Sequence, residues 1–342
     1  MDIKRAKEEV KNTVKAYLMK DSSGGYIMPA ARQRPVLLIG APGIGKTQIM
    51  EQIARELRIG LVAYTITHHT RQSAVGLPFI KEEEFNGEKY SVTEYTMSEI
   101  IASVYSKTRD SGLKEGILFI DEINCVSETL APTMLQFLQY KTFGNRKVPD
   151  GWIIVAAGNP PEYNKSVHEF DMVTLDRVRK IEVDAKYDVW REYARENRID
   201  NAILSYLELR PQNFYKAEAD VDGIQFVTAR GWEDLSCLVK VYKELQVPVD
   251  EEIIYEFIQH KEIAKDVAAY FDLYKKYQDD YGIKDILSGN VTPSVYKRIY
   301  KASFDERLSV VNLLISGLDV FFDKVFLYHF IADRWFSFLK SF

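Results

Sequence analysis

One octapeptide constrains this chain more than any other stretch: Gly40-Ala41-Pro42-Gly43-Ile44-Gly45-Lys46-Thr47. It fits the phosphate-loop pattern G-x-x-x-x-G-K-[ST], which carries meaning only between a strand and a helix. Both flanks are present. Arg34-Pro35-Val36-Leu37-Leu38-Ile39 is a short apolar run that reads as a buried strand, and after Gln48 the residues Ile49, Ile53 and Leu57 recur at helical spacing. The residue types follow from anion chemistry. Gly40, Gly43 and Gly45 allow a tight curl in which successive N–H groups converge on phosphate oxygens. The helix N-terminus behind them adds unpaired donors and the positive end of a dipole. Lys46 is expected to reach the β- and γ-phosphates, and the Thr47 hydroxyl to take one Mg²⁺ position. Gly40, Ala41, Pro42, Gly43, Ile44, Gly45, Lys46, Thr47 and Gln48 are therefore the expected nucleotide contacts.

The 342 residues suffice for two or three domains, and 46% hydrophobic with 28% charged content is ordinary for a soluble globular chain. The net charge of −5 and the lack of any lysine or arginine run give no electrostatic footprint for nucleic acid. Cys125 and Cys237 lie far apart in no metal-like spacing and read as thiols of a reducing compartment. The start, Met1-Asp2-Ile3-Lys4-Arg5, leads into a charged helix rather than an apolar signal core. Residues 308–332 are apolar, but Asn312, Asp319, Asp323 and Lys324 interrupt them, which argues against a membrane span. A soluble, cytoplasmic protein is the expectation.

Along the chain, residues 2–20 read as an amphipathic helix with Ile3, Val10, Val14, Tyr17 and Leu18 on one face, packed beside the nucleotide domain. Leu61 to Ile66 reads as a second strand, and residues 79–96 as a hairpin around Asn86-Gly87. A helix over Met97–Arg109 precedes the strand Gly116–Ile120, which ends in Asp121-Glu122. A helix over Glu128–Tyr140, a fourth strand Gly151–Ala157 and a short fifth, Lys180–Val183, follow. Apolar strands alternating with helices predict a parallel sheet covered on both faces. From Ala185 onward only helices are expected: Tyr187–Asn197, Ala202–Leu209, Trp232–Leu245, Glu251–Tyr277 and from Pro293 to the end.

The remaining chemistry sits at strand ends, where parallel sheets bind ligands. Asp121 is expected to hold Mg²⁺, Glu122 to polarise an attacking water, and Asn159, after Ala156-Ala157-Gly158, to align that water. His68-His69 with His168 has no acidic partner at metal-ligand spacing, and Glu82-Glu83-Glu84 reads as a solvated run. Phe321-Phe322 and Trp335-Phe336 fall on helical spacing with Leu318, Val325 and Phe338; they read either as packing on the lid or as a docking surface.

The order of these elements resembles an AAA+ ATPase, in particular the MoxR-like branch. The resemblance rests on the octapeptide, on Leu118-Phe119-Ile120-Asp121-Glu122-Ile123-Asn124, Ala156-Ala157-Gly158-Asn159-Pro160-Pro161 and Leu175-Asp176-Arg177-Val178, and on Phe226-Val227-Thr228-Ala229-Arg230-Gly231-Trp232. It covers residues from about 30 to 260 and implies roles that spacing does not reveal. Arg177 stands where the family carries an arginine finger for a neighbouring subunit's nucleotide. Val178-Arg179 replaces the usual phenylalanine at that point, so Arg179 remains the alternative. Arg230 matches the second sensor arginine, carried by the lid. The implied fold is α/β: a P-loop NTPase with a parallel sheet sandwiched by helices, then an all-helical lid domain and a helical C-terminal extension. The divisions are 1–29 for the N-terminal helix and loop, 30–185 for the ATPase core, 186–260 for the lid and 261–342 for the extension. The implied function is ATP hydrolysis with Mg²⁺ that remodels or matures a client protein. Its setting would be a homo-oligomeric, hexameric ring, with a von Willebrand factor A domain protein as a further partner. The alternatives are a nucleotide-gated scaffold with little hydrolysis and a motor acting on DNA. The preference for ATP over GTP follows from the resemblance alone.

Overall fold

A computed structural model of the chain describes residues 1–318 except 69, 144–145, 164–166, 168–169, 221–222, 289 and 316. The chain divides into two compact units, Met1–Val189 and Trp190–Phe342. The strands of the first are β1 (Val36–Gly40), β2 (Gly60–Thr65), β3 (Pro78–Phe85), β4 (Glu88–Tyr95), β5 (Gly116–Asp121), β6 (Thr142–Phe143), β7 (Arg146–Lys147), β8 (Trp152–Gly158) and β9 (Arg179–Val183). Its helices are α1 (Ile3–Leu18), α2 (Lys46–Leu57), α3 (Arg71–Val75), α4 (Glu99–Ser111), α5 (Ala131–Tyr140) and α6 (Met172–Leu175).

Among the described residues, five strands form one parallel sheet in the order β2-β5-β8-β1-β9. The strand sequences demand cover on both faces: every residue of β8 is buried, as are the first five of β5. Leu37, Leu118, Ile120, Ile154 and Ala156 join Ile100, Ile101 and Val104 of α4 and Met134, Phe137 and Leu138 of α5 in one apolar cluster. Helix α2 buries Ile49, Met50 and Ile53 while packing on β2 and β5. The amphipathic first helix packs beside the sheet as its pattern predicts, burying Ala6, Val10, Val14 and Tyr17 where α1 meets α2 and β9. Asn86 (φ 53°) and Gly87 (φ 84°) make the left-handed turn that joins β3 to β4.

This strand order positions the site. Strand β8 lies between β1 and β5, and all three run the same way. Their C-terminal ends therefore bring the loop after Gly40, the pair Asp121-Glu122 and Asn159 to one edge.

Helix α7 (Tyr187–Glu196) begins at the end of the first unit, and the second unit goes on with α8 (Asn201–Leu209), β10 (Lys216–Asp220), β11 (Gly223–Val227), α9 (Ala229–Leu245), α10 (Glu251–Phe257), α11 (Lys261–Asp280), α12 (Ile283–Leu287) and α13 (Pro293–Lys301). Three features depart from the helix-only expectation. First, β10 and β11 pair antiparallel. The Lys-Ala-Glu-Ala-Asp sequence of β10 has low strand propensity and hid the hairpin. Second, the single helix read over Glu251–Tyr277 is broken at Ile258, whose backbone leaves the helical region, and Phe226 N of β11 donates to Gln259 O at 2.8 Å. The hairpin takes a carbonyl that a continuous helix would have used. Third, α13 stops at Lys301 because Ala302 is extended, and helix resumes over 304–315. Phe321-Phe322, Val325, Trp335-Phe336 and Phe338 lie outside the described residues.

The second unit's core centres on Tyr206 and Trp232, both fully buried with rings 5.8 Å apart. Their polar tips are satisfied: Trp232 Nε1 donates to Phe214 O at 2.9 Å and Tyr206 OH to Asp266 Oδ2 at 2.8 Å. Among the described residues no helix is long and apolar enough to cross a membrane.

Candidate functional site

The loop after β1 is shaped by two backbone constraints. Gly45, at the N-cap of α2, has φ 93°, a conformation that a side chain would strain. Gly40 is pressed against the end of β9, where a Cβ would sit 2.5 Å from Val183 O. Lys46, the first residue of α2, is buried. Its Nζ donates to Gly40 O at 2.6 Å, Ala41 O at 2.9 Å and Asn159 Oδ1 at 2.9 Å. These three acceptors are neutral dipoles. They hold the ammonium between the loop and the end of β8.

Thr47 Oγ1 donates to Asp121 Oδ2 at 3.0 Å, so the second helical residue meets the carboxylate that ends β5. The other oxygen, Asp121 Oδ1, accepts from Glu122 N at 2.9 Å. Glu122 is a non-glycine residue in the left-handed region, φ 57°. That geometry costs about 1 kcal/mol. It is held by Cys125 N donating to Glu122 O at 2.8 Å and by Ile123 N donating to Ala157 O at 2.9 Å. The kink lifts the Glu122 carboxylate off the strand line, where its Oε2 accepts from Thr67 Oγ1 at 2.8 Å. The register explains this meeting: Thr65 of β2 pairs with Asp121 of β5, so Thr67 lies just beyond the same sheet edge.

Asn159 is fixed through its backbone. Asn124 Nδ2 donates to Asn159 O at 2.8 Å, and Asn159 N donates to Asn124 Oδ1 at 3.2 Å. Asn124 is itself buried, and it packs so closely on Gly158 that a Cβ there would stand 2.8 Å from Asn124 Cγ. Sequence reasoning missed Thr67 and Asn124. Asn124 lay inside a quoted motif, three residues after Asp121, but only the fold shows that its amide reads both polar groups of Asn159.

The two candidate arginines differ in their surroundings. Arg177 is exposed, and its Nη1 donates to Gln139 Oε1 of α5 at 2.6 Å. Arg179 is committed to α1: Nη1 donates to Thr13 Oγ1 at 2.5 Å and Nη2 pairs with Glu9 Oε2 at 2.9 Å. Arg177 is not gathered with Lys46 in its own subunit. Arg179 pairs with Val36 and Val183 with Gly40, so Arg177 stands beyond the opposite end of β9 from the phosphate loop. Four strand residues alone separate the two ends by about 13 Å. Arg230 belongs to the second unit, where it is the exposed second residue of α9; Thr228 caps that helix by accepting from Gly231 N at 3.1 Å. His69 and His168 lie outside the described residues.

The oxygen donors at the sheet edge fit a hard divalent cation: a hydroxyl and a carboxylate already in contact, beside a loop suited to phosphates. No curated protein matches the chain. Residues 35–178 match the family model described as AAA domain (dynein-related subfamily), a segment that runs from the residue before β1 to the residue before β9 and is less than half of the chain. Together with the parallel sheet and the loop that follows β1, this similarity supports an AAA+ ATPase domain, with nucleotide-dependent ATPase activity, in the first unit.

Proposed function

We propose that the chain is a MoxR-like AAA+ ATPase that hydrolyses ATP and uses the conformational change to remodel or mature a client protein. The observation that carries the reading is the convergence of three strand ends on one point. Lys46 bonds to Asn159, and Thr47 bonds to Asp121. In this reading the loop Gly40–Thr47 and Lys46 grip the phosphates, trading some of the neutral acceptors of Lys46 for phosphate oxygens. Thr47 and Asp121 would hold Mg²⁺, which supplies charge neutralisation on the phosphate oxygens. Glu122 accepts a proton from the attacking water, and Asn159, fixed by Asn124, orients that water.

Arg177 acts on the nucleotide of a neighbouring subunit. The β1–β9 register supports this: Arg177 starts at the far end of its own sheet, and Arg179 is already occupied by α1. A guanidinium delivered in trans is worth about 10³-fold or more in related phosphoryl transfer. Arg230 acts as the lid's sensor of bound nucleotide. A homo-oligomeric ring, hexameric as in the resembled branch, follows from the trans arginine, and the site acts in the cytoplasm. A von Willebrand factor A domain partner rests on the resemblance alone.

The test is ATP turnover per subunit over a wide range of protein concentration, with Lys46→Ala as the blank. Specific activity that climbs and then levels off is the expected result. Constant specific activity at every concentration refutes the trans arginine. Turnover at the blank level, with labelled ATP still bound, replaces hydrolysis by nucleotide-gated assembly.

A further inference from the structure

Arg177 stands between two fixed points. Before it, Asp171 caps α6 by accepting from Thr174 N at 2.8 Å, and Arg177 N donates to Thr174 O at 3.0 Å. After it, Val178 is buried in the apolar cluster and Arg179 N donates to Pro35 O at 2.8 Å. The Arg179 side chain then reaches α1, where Thr13 and Glu9, one turn apart, both accept from its guanidinium.

The same helix holds two further points. Lys7 and Lys11 pair with Glu56 at 2.7 and 2.5 Å, near the end of α2, and that helix begins with Lys46 and Thr47. The paired lysines hold the Glu56 carboxyl down at about 2, so it stays ionised throughout the range in which proteins work. Tyr17 OH donates to Arg34 O at 3.1 Å, just before β1. A helix that merely covered the core would do so through Ala6, Val10 and Val14. This one adds a polar grip on the helix of the phosphate loop and another on the strand that follows Arg177, and it lies outside the segment that matches the family model.

We infer that Glu9 and Thr13 are positioning residues for Arg177, acting through Arg179. Helix α1 is then a strut that fixes the arginine offered to a neighbour relative to the subunit's own phosphate loop. The inference rests on the trans-arginine reading above. Its physical basis is proximity: Arg177 is two residues from the clamp, and a displacement of about 1 Å at a catalytic group costs up to about 10²-fold in rate. The Glu9–Arg179 pair is partly exposed, so its loss changes stability little and position more.

The experiment mixes full-length subunits. Lys46→Ala subunits lack a working loop but present an intact Arg177 side. Glu9→Ala, and separately Thr13→Val, which keeps the packed volume of that position, are each expected to lower kcat about five- to tenfold with ATP affinity unchanged. Excess Lys46→Ala partner should return most of that turnover, because the partner supplies the arginine. The exchange of charges in Glu9→Arg with Arg179→Glu should also recover activity. Arg177→Ala mixed with the same partner is the control. If Arg177→Ala is not rescued, the trans reading itself fails. If Arg177→Ala is rescued while Glu9→Ala and Thr13→Val are not, or if both α1 variants turn over at the wild-type rate, the strut is refuted and the trans arginine stands.

Discussion

Gly158→Ala isolates the contact that holds Asn159 in place. The new methyl would stand 2.8 Å from Asn124 Cγ and closer still to Asn124 Oδ1, so the buried amide must leave. Two hydrogen bonds go with it, one to Asn159 O and one from Asn159 N. At about 1 kcal/mol each, with about 1 kcal/mol for the residual overpacking, the expected loss is about 3 kcal/mol. For a unit of 189 residues that corresponds to a fall in its melting temperature of about 6–12 °C. The cause is separable from a general intolerance of β8 by a double-mutant cycle. Asn124→Ala alone forfeits the same two bonds, about 2 kcal/mol, and also removes the obstacle. Gly158→Ala added to that background should then cost less than about 1 kcal/mol. Calorimetry of the four proteins measures the cycle, and ATP turnover follows Asn159: both single variants should be slow, with the double variant no slower. Strict additivity, with the double variant about 5 kcal/mol less stable, would show that Gly158 is required for a reason other than the Asn124 contact.

Other expectations follow from single sites. Glu122→Gln should keep labelled ATP bound while turnover drops by about 10²-fold or more, since only the proton acceptor is lost; wild-type turnover would remove Glu122 from the reaction. Lys141 is buried with its Nζ on Ala30 O at 2.7 Å, and burial pushes its ammonium down to about 8 from 10.5. Because the folded value is the lower one, the unfolded chain holds more protons between about pH 8 and 10.5, and stability rises with pH across that window. Below pH 8 the full burden of about 3 kcal/mol applies, so Lys141→Met should gain about 2 kcal/mol at pH 7 after the lost hydrogen bond and flatten the pH profile of urea unfolding. Gly76 has φ 107° and a Cβ there would meet the Thr96 backbone, so Gly76→Ala should abolish amide-exchange protection across β3 and β4 while ATP binding persists; retained protection would contradict the geometry.

Much of the site was legible in the chain because it is local. The phosphate loop is a contiguous pattern, and its flanking strand and helix announce themselves by run length and by spacing at 3.6 residues. The placement of Asp121, Glu122 and Asn159 at one sheet edge was legible because a strand that ends in a polar residue delivers it there. Thr67 and Asn124 were missed because their partners are distant in sequence: Thr67 meets Glu122 and Asn124 meets Asn159 only once β2, β5 and β8 lie in order. The hairpin of the second unit was missed for the opposite reason. The weak strand propensity of Lys216–Asp220 is a local signal that let the helical neighbours dominate the reading. The break between α10 and α11 had no local signal, because Gln259 gives its carbonyl to β11.

By itself, the sequence determined a phosphate loop between a strand and a helix, a parallel sheet covered on both faces and a mainly helical second half. Each of these depends on residue types within one or two turns of chain. The tertiary structure decided what those elements do to one another. The register of β1 against β9 sets Arg177 at the far end of the sheet from its own loop. Strand β8, inserted between β1 and β5, lets Asn159 meet Lys46. Helix α1 takes Arg179 and leaves Arg177 exposed. Contacts between residues more than a hundred positions apart leave no periodic trace in a single sequence, since each partner alone looks like an ordinary surface arginine, glutamate or asparagine.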